Sequence, residues 1–120
     1  MFTLPKSERL HGKTTISALM SKGRWGFTSD LKYCYRVTAE DSAAPNRILV
    51  SVPKRFFKRA VKRNLLKRRL REAYRTQKQL LASGGTDLLL LYNSKEIAPY
   101  SVLCTQVEHV LTKISDERQQ

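Results

Sequence analysis

The chain has few of the features that point to a secreted or membrane protein. It contains two cysteines in 120 residues, too few for the disulfide framework of a small extracellular domain. Its longest strongly apolar run, Leu88 to Tyr92, is five residues long, whereas a membrane-spanning helix needs about 20. Early charges at Lys6, Glu8 and Arg9 argue against a secretory signal. We therefore expect a cytoplasmic protein with free thiols and no membrane partner.

Glycine and proline are also scarce, with five and four residues, and no repeat or low-complexity segment divides the chain. Hydrophobic residues make up 41% of the sequence, which is ordinary for a globular protein and excludes wholesale disorder and fibrous repeats. The length suits one compact domain with a real core, so residues 1–120 are interpreted as a single domain.

Acidic residues are outnumbered, with 10 Asp and Glu against 23 Lys and Arg and a formal net charge of +13. Between Lys54 and Arg75, eleven Lys and Arg accompany one acid, Glu72, so these 22 residues carry +10. Like charges four residues apart destabilise an isolated helix. A solvated helix face is the ordinary explanation of a charge run, but a run of one sign favours a polyanionic partner, and nucleic acid above all.

The first half of the chain predicts one helix and two strands. The helix is expected over Lys13–Lys22, capped by Thr14 or Thr15 and ended by Gly23. After a loop with Trp25 and Gly26, alternating residues predict strands at Leu31–Thr38 and Arg47–Pro53. The turn between these strands suggests that they pair as an antiparallel hairpin.

The second half predicts a long helix, a strand and a last helix. The long helix is expected from Phe56 to Ala82, ended by Ser83-Gly84-Gly85. Its buried stripe follows the helical period at Leu66, Leu70, Ala73, Tyr74, Gln77 and Leu81. Thr86–Tyr92 is expected to be a central strand, and Pro99 to open a helix whose tail, Ser115–Gln120, frays. The order αββαβα predicts an α+β fold, with helices packed on one mixed sheet.

Groups that perform hydrolysis or transfer are not clustered in the sequence. His11 and His109 lie far apart, and the acidic residues form no paired-carboxylate motif. No Cys-x-x-Cys, glycine-rich phosphate loop or Gly-x-Ser-x-Gly motif occurs. Cys34 and Cys104 lie in apolar-patterned elements and are interpreted as packing residues. The sequence therefore predicts neither a catalytic residue nor a metal site.

Two cations of the basic segment fall on the inward side of the expected helix. On a helical wheel, Arg63 and Lys67 lie in line with the buried stripe. One explanation is that both side chains snorkel along apolar neighbours. The other is that they face a groove between helix and sheet edge, where phosphates bind. Asn64, beside this line, offers donors and an acceptor suited to a nucleotide.

The run KRFFKRAVKRNLLKRRLREAYR, residues 54–75, resembles the signature of the bacterial ribonuclease P protein component. That signature has a basic pair after a strand, then Ala, Arg-Asn-Arg, Lys-Arg and Arg-Glu at fixed spacing. The matching residues are Lys54-Arg55, Ala60, Arg63-Asn64, Lys67-Arg68 and Arg71-Glu72. The chain departs at the third position of Arg-Asn-Arg, which is Leu65, so one guanidinium is missing. The flanks Glu8-Arg9-Leu10, Lys22-Gly23 and Leu49–Pro53 are also similar to the family.

The resemblance implies an α/β sandwich in which the long helix lies in a left-handed βαβ crossover, against the usual right-handed rule. It also implies a ribonucleoprotein that removes the 5′ leader of precursor tRNA by endonucleolytic phosphodiester hydrolysis. The catalytic RNA, with Mg²⁺ held mainly by RNA and substrate, performs the reaction. The protein binds this RNA and the single-stranded leader, and broadens substrate and Mg²⁺ tolerance.

Site residues follow from the resemblance position by position. The expected RNA-binding residues are Lys54, Arg55, Lys58, Arg59, Lys62, Arg63, Asn64, Lys67, Arg68 and Arg71. The expected leader cleft comprises Arg9, Lys13, Ile16, Met20, Lys32, Tyr33, Cys34, Tyr35 and Arg36. Many family members carry aromatic residues in the first helix, where this chain has Ile16 and Met20. Tyr33 or Tyr35 is therefore a candidate platform for base stacking, with ordinary sheet packing as the alternative.

Two other functions are compatible with charge and size alone. A ribosomal or assembly-type RNA-binding protein would be small and basic and would have no catalytic residues. A membrane-surface or calmodulin-target helix is the third interpretation of the basic segment, but the segment lacks a large apolar face. A ribosomal or assembly-type protein would not distinguish precursor tRNA from mature tRNA.

Overall fold

A four-stranded mixed sheet organises the protein in the computed structural model, which describes residues 6–38, 44–81 and 84–118. The strands are β1 (Arg24–Phe27), β2 (Leu31–Val37), β3 (Arg47–Ser51) and β4 (Thr86–Tyr92), in the spatial order β1-β2-β4-β3. β4 pairs antiparallel with β2 and parallel with β3. The predicted mixed sheet and the central position of the apolar strand are confirmed.

Three helices pack on this sheet: α1 (Lys13–Lys22), α2 (Ala60–Gln77) and α3 (Tyr100–Arg118). Single 3₁₀ turns cover Lys6–Glu8 and Lys78–Leu80. None of the helices within the described residues is long and apolar enough to cross a membrane. The bounds of α1 agree with the prediction, and Gly23 ends it by donating its N–H to the carbonyl of Leu19 at 2.7 Å.

The two faces of the sheet are covered unequally. α2 and α3 bury most of one face, through a cluster that includes Tyr33, Leu66, Leu90 and Leu111. The predicted stripe of α2 is confirmed, although Gln77 is only half-buried. α1 covers part of the other face with a smaller cluster of Leu10, Leu19, Cys34 and Leu89. A stretch of that second face therefore stays open beside α1.

The predicted hairpin of Leu31–Thr38 with Arg47–Pro53 is wrong, because β4 lies between β2 and β3. β4 is apolar on both faces and is buried along nearly its whole length, so it takes the centre of the sheet. Arg47 on β3 also forms a bidentate pair with buried Asp87 on β4, at 2.8 and 2.7 Å. The β3–α2–β4 connection is the expected parallel βαβ unit, and its left-handed sense stays a prediction.

A short edge strand, β1, replaces the loop expected around Trp25 and Gly26. Its four residues pair antiparallel with β2, and Gly26 lies opposite Tyr33. A Cβ at Gly26 would lie 2.4 Å from Cζ and Oη of Tyr33. The missing side chain therefore makes room for the tyrosine ring, which is a common use of glycine in a strand.

The ends of three elements differ from the prediction. α2 begins at Ala60 instead of Phe56, because Arg59 is extended (ψ 127°) and Phe57 is buried against Tyr92. No side chain caps α1; Gly12, with φ +96°, precedes it instead of a capping threonine. α3 continues to Arg118, whose guanidinium donates to the carbonyl of Gly84 at 2.9 Å. Ala82, Ser83 and residues 119–120 lie outside the described residues.

Candidate nucleic-acid interface

The basic segment forms an exposed surface on α2 and on the loop before it, which we call the basic surface. Its eight exposed members are the side chains of Lys54, Arg55, Lys58, Arg59, Lys62, Asn64, Arg68 and Arg71. Leu65, where the signature of the family has arginine, is half-buried. The structure thus brings eight of the ten expected RNA-binding residues to solvent, and the other two are the inward pair.

Arg63 and Lys67 are half-buried, which agrees with their inward position on the helical wheel. The Arg63 guanidinium donates to the carbonyls of Phe57 at 2.8 Å and of Lys58 at 2.7 Å. These bonds hold the loop that leads into α2 against the first turn of the helix. Arg63 therefore positions the basic surface as well as adding charge to it.

Ion pairs lie away from the basic surface. Within the described residues, four pairs are formed: Arg24 with Glu117, Arg47 with Asp87, Lys78 with Glu8 and Arg75 with Glu72. None of them includes a cation from the segment 54–71. The charge of this segment is therefore not neutralised by acidic side chains of that part of the chain, and it remains available to a polyanion.

The leader cleft expected from the resemblance lies on the open side of the sheet, beside α1. Lys13 and Met20 are exposed there, and Ile16 is half-buried against the smaller core cluster. Arg9 is also exposed, but it bridges to Ile48 of β3, whose side chain lies on the opposite face of the sheet. Alternation along β2 places Lys32 and Arg36 on the same face as Cys34, beneath or beside α1. Together these side chains provide cations, an apolar floor and open access, which are features of a groove that binds single-stranded nucleic acid.

Besides Arg9, three expected cleft residues on β2 do not line the cleft. Tyr33 and Tyr35 point to the opposite face, where they are 2% and 5% exposed in the core under α2 and α3. A stacking role for either tyrosine is therefore wrong, because alternate strand residues face opposite sides. Cys34 has the correct face but is fully buried under α1, and burial raises the pKa of its thiol to about 11. It is a packing residue, protonated at neutral pH.

The aromatic residues of the open side are not predicted from the sequence, because they lie in the segment interpreted as a loop. Trp25 and Phe27, two residues apart on β1, are 39% and 63% exposed. Trp25 pairs with Cys34 and Phe27 with Lys32, so both rings share the face of α1. The alternation of Arg24 to Phe27, followed by Thr28-Ser29-Asp30 as a turn, is the signal for an additional hairpin.

One row of residues crosses the open face from edge to edge. The register places Phe27 opposite Lys32, Lys32 opposite Leu91, and Leu91 opposite Ser51. None of the four is buried. Ser51 ends β3 two residues before Pro53, after which the basic surface begins. We call Phe27, Lys32, Leu91 and Ser51 the open row, which connects β1 with the basic surface.

Reactive and metal-binding groups are not assembled within the part of the chain that the structure describes. No three His, Cys, Asp or Glu side chains of those residues come close enough to hold a metal ion. The one acidic residue of the four strands, Asp87, is already held by Arg47. The described residues therefore do not fit a bound Mg²⁺ ion.

Comparison with known proteins shows which family the chain belongs to. The model of the family described as ribonuclease P matches residues 4–115, which include the basic surface, α1 and the whole sheet. The chain belongs to the ribonuclease P family. A relative named ribonuclease P protein component, from Chlorobaculum tepidum, is 38% identical over 130 aligned positions, covering 96% of this chain and 84% of that protein.

Other ribonuclease P relatives match over shorter stretches. The protein component from Porphyromonas gingivalis strain ATCC 33277 is 46% identical over 80 residues, which are 67% of this chain. The match spans 58% of the length of that relative.

Solved ribonuclease P proteins share the fold of this chain. The Staphylococcus aureus protein has a TM-score of 0.76 at 22% identity, covering 91% of this chain and 96% of its own. The Thermotoga maritima protein has a TM-score of 0.75 at 22% identity, covering 88% and 96%. The α+β fold class expected from the sequence, with its order of helices and strands, is confirmed with β1 as an addition.

Proposed function

We propose that this chain is the protein subunit of a ribonuclease P ribonucleoprotein, which removes the 5′ leader of precursor tRNA by endonucleolytic hydrolysis. The observation that carries the proposal is the basic surface. The family signature lies on α2 and its entry loop, with eight side chains in solvent and no acidic partner among the described residues. A surface of this kind recognises the backbone of a folded RNA.

The two sides of the molecule suit two parts of the substrate complex. The basic surface is exposed along a helix, which suits contact with the phosphates of a large RNA. The open side next to α1 is partly apolar and carries Lys13 and Lys32, which suits an unpaired strand. We therefore assign the catalytic RNA to α2 and the leader of precursor tRNA to the α1 side.

In this proposal the chain supplies no reacting group. The described residues offer no metal cluster, and we assign hydrolysis to the RNA partner. Mg²⁺ is proposed to be held by the RNA and substrate phosphates. The protein positions the leader and adds counter-charge, which lowers the Mg²⁺ concentration that the complex requires.

The decisive experiment measures cleavage of precursor tRNA by the purified chain, by the ribonuclease P RNA of the same organism, and by both together. We expect no cleavage by the protein alone, and cleavage at lower Mg²⁺ concentration when the protein joins the RNA. The complex should also bind precursor tRNA more tightly than mature tRNA. Cleavage without RNA would contradict the proposal, and so would equal affinity for the two tRNAs, which is the behaviour of a ribosomal or assembly protein.

A matched pair of variants tests the basic surface itself. Arg68 on α2 and Lys95 in the loop before α3 are both exposed, and each loses one positive charge on substitution by alanine. Arg68→Ala should weaken assembly with the RNA about five- to tenfold, because a phosphate contact is lost. Lys95→Ala should leave assembly within about twofold of wild type, because it lies outside the basic surface. Equal losses would show that only bulk charge matters.

A further inference from the structure

Two aromatic side chains on the edge strand β1 face solvent without a covering element. Trp25 and Phe27 lie two residues apart on the α1 side and are 39% and 63% exposed. Large aromatic rings are normally buried, and neighbouring exposed rings mark an interaction site more often than chance exposure does. Within the described residues, α1 is the helix on this side, and it leaves both rings accessible.

The tryptophan ring is held in a fixed orientation. The indole N–H of Trp25 donates to the carbonyl of Met20 in α1 at 3.2 Å. The Lys32 ammonium lies 4.8 Å from the centroid of the Trp25 ring and 5.6 Å from that of Phe27. A rigid ring loses little conformational entropy when a flat ligand stacks on it, and the ammonium provides a positive charge between two stacking positions.

These rings continue the surface on which the leader is proposed to lie. Phe27 is the end of the open row on β1. Ser51, at the other end on β3, is three residues before Lys54 of the basic surface. Four strands at about 4.8 Å spacing give the row a length of about 14 Å. A single extended strand can therefore run from the basic surface, across Leu91 and Lys32, to the aromatic pair.

The charge of this face selects the occupant. Lys13, Lys32 and Arg36 contribute three cations, while Asp87, the one acid of the four strands, is neutralised by Arg47. A protein partner that covered two aromatic rings would need acidic side chains around them. Unpaired nucleic acid provides both components along its length, since a flat base alternates with a phosphate.

We propose that Trp25 and Phe27 form a stacking platform for two unpaired bases of the RNA strand, with Lys32 contacting the phosphate between them. The proposal rests on the function proposed above, and extends the leader path beyond α1 to the edge of the sheet. Because every base has a flat face, the platform tolerates any sequence. It compensates for the aliphatic Ile16 and Met20 of α1, which offer no ring.

The test compares leader affinity of the assembled complex for the wild-type chain and for Trp25→Ala, Phe27→Ala and the double variant. Each single alanine should weaken binding of leader-bearing precursor tRNA about 5- to 100-fold, because one stacked base is lost. Binding of mature tRNA should not change. Trp25→Phe should recover most of the affinity. Val102→Ala, which removes exposed apolar surface from α3, is the matched control and should have no effect.

A second readout uses the fact that Trp25 is the only tryptophan of the chain. Single-stranded RNA oligonucleotides should quench its fluorescence, and replacing the stacked base by an abasic site should abolish that quenching. The same abasic substitution should cause no further loss of affinity in Trp25→Ala, since the two changes remove one interaction.

The results of these experiments distinguish a failure of the stacking platform from a failure of the proposed function. If wild type distinguishes precursor from mature tRNA but the double variant binds the leader equally well, the platform is wrong and the proposed function stands. If wild type makes no such distinction, the proposed function fails first. Absence of quenching by any oligonucleotide would overturn the platform and indicate that another partner, such as a protein, covers the rings. Unchanged thermal unfolding of the variants shows that the fold is intact.

Discussion

Arg63 illustrates how one side chain of a binding signature can have a structural task. Its guanidinium donates to the carbonyls of Phe57 and Lys58, which belong to the loop entering α2. Phe57 is buried against Tyr92 of β4, so the loop is anchored at one side by an aromatic contact and at the other by Arg63. The arginine thus couples the shape of the basic surface to the core.

This coupling predicts a difference between Arg63→Ala and Arg68→Ala. Arg63→Ala should lower the free energy of unfolding by about 1–2 kcal/mol, because two charge-assisted hydrogen bonds are lost. It should also weaken RNA assembly more than Arg68→Ala, which removes an exposed charge and should leave stability unchanged. Thermal unfolding and RNA titration measure the two effects.

The positions of other cations supply controls for that comparison. Lys67→Ala, on the same inward line, should weaken assembly more than Arg75→Ala, since Arg75 is not one of the residues that match the signature and it pairs with Glu72. Equal effects of Arg63→Ala, Lys67→Ala and Arg75→Ala on assembly would show that the inward position has no special role. A loss of assembly by Arg63→Ala without any loss of stability would contradict its anchoring of the loop.

At the scale of elements, the end of α3 is tied to the edge of the sheet through one carboxylate. Glu117 accepts from the Tyr35 hydroxyl at 2.6 Å and from the Arg24 guanidinium at 3.2 Å. The hydrogen bond from Tyr35, followed by that from Arg24, holds the pKa of Glu117 below its ordinary value. Burial, followed by the bond to Glu117, raises the pKa of Tyr35 to about 12. These contacts explain why α3 continues past Ser115.

Glu117→Gln should therefore destabilise the protein in a pH-dependent way. A carboxyl whose pKa is lower in the folded state stabilises that state at pH values above its unfolded pKa of about 4.3. This contribution disappears as pH falls through the lowered folded pKa. We expect a loss of about 1–2 kcal/mol at neutral pH that shrinks toward zero in strong acid.

Denaturant unfolding between strong acid and neutral pH measures this difference. Glu108→Gln, at an exposed position of the same helix, is the matched control and should give a small difference from wild type. A destabilisation by Glu117→Gln that was constant across this range would contradict the assignment to the charged carboxylate.

At the scale of the whole molecule, the two faces of the sheet differ in how far helices cover them. α2 and α3 bury most of one face, and α2 carries the basic surface on its outer side, while α1 leaves the other face partly open. The net charge of +13 is mostly carried by one segment, so the electrostatic field is directional. Such a field suits the proposed RNA partner, because it attracts a polyanion and orients it relative to the open side.

The directional field predicts the salt dependence of leader-bearing RNA binding. Each phosphate neutralised on a single strand contributes about −0.7 to the slope of log affinity against log salt concentration, so about six contacts give a slope near −4. For assembly with the catalytic RNA, which is proposed to contact α2, Arg68→Ala should reduce the steepness of the salt dependence by about 0.7 to 0.9. Trp25→Ala should lower affinity with the slope unchanged, since stacking releases no counterions. A shallower slope for Trp25→Ala would contradict the stacking role.

The sequence alone determined the local elements of this protein, except the edge strand β1 and the exact ends of α2, and the placement of its charge. Glycine at position 23, the apolar period of α2 and the apolar run of β4 depend on neighbours a few residues away, and all three predictions are confirmed. The basic signature is likewise a contiguous run, so its resemblance to the family is visible in the order of residues alone.

Tertiary structure decided which strands pair and which side of each strand is buried. Alternation divides β2 into two sets of side chains, but it does not show that two helices cover Tyr33 and Tyr35 while one helix covers Cys34 on the other side. Strand order was decided by β4, whose two apolar faces and buried Asp87 require a neighbour on each side. These choices are made by contacts between residues distant in the chain, and such contacts leave no periodic pattern in the sequence.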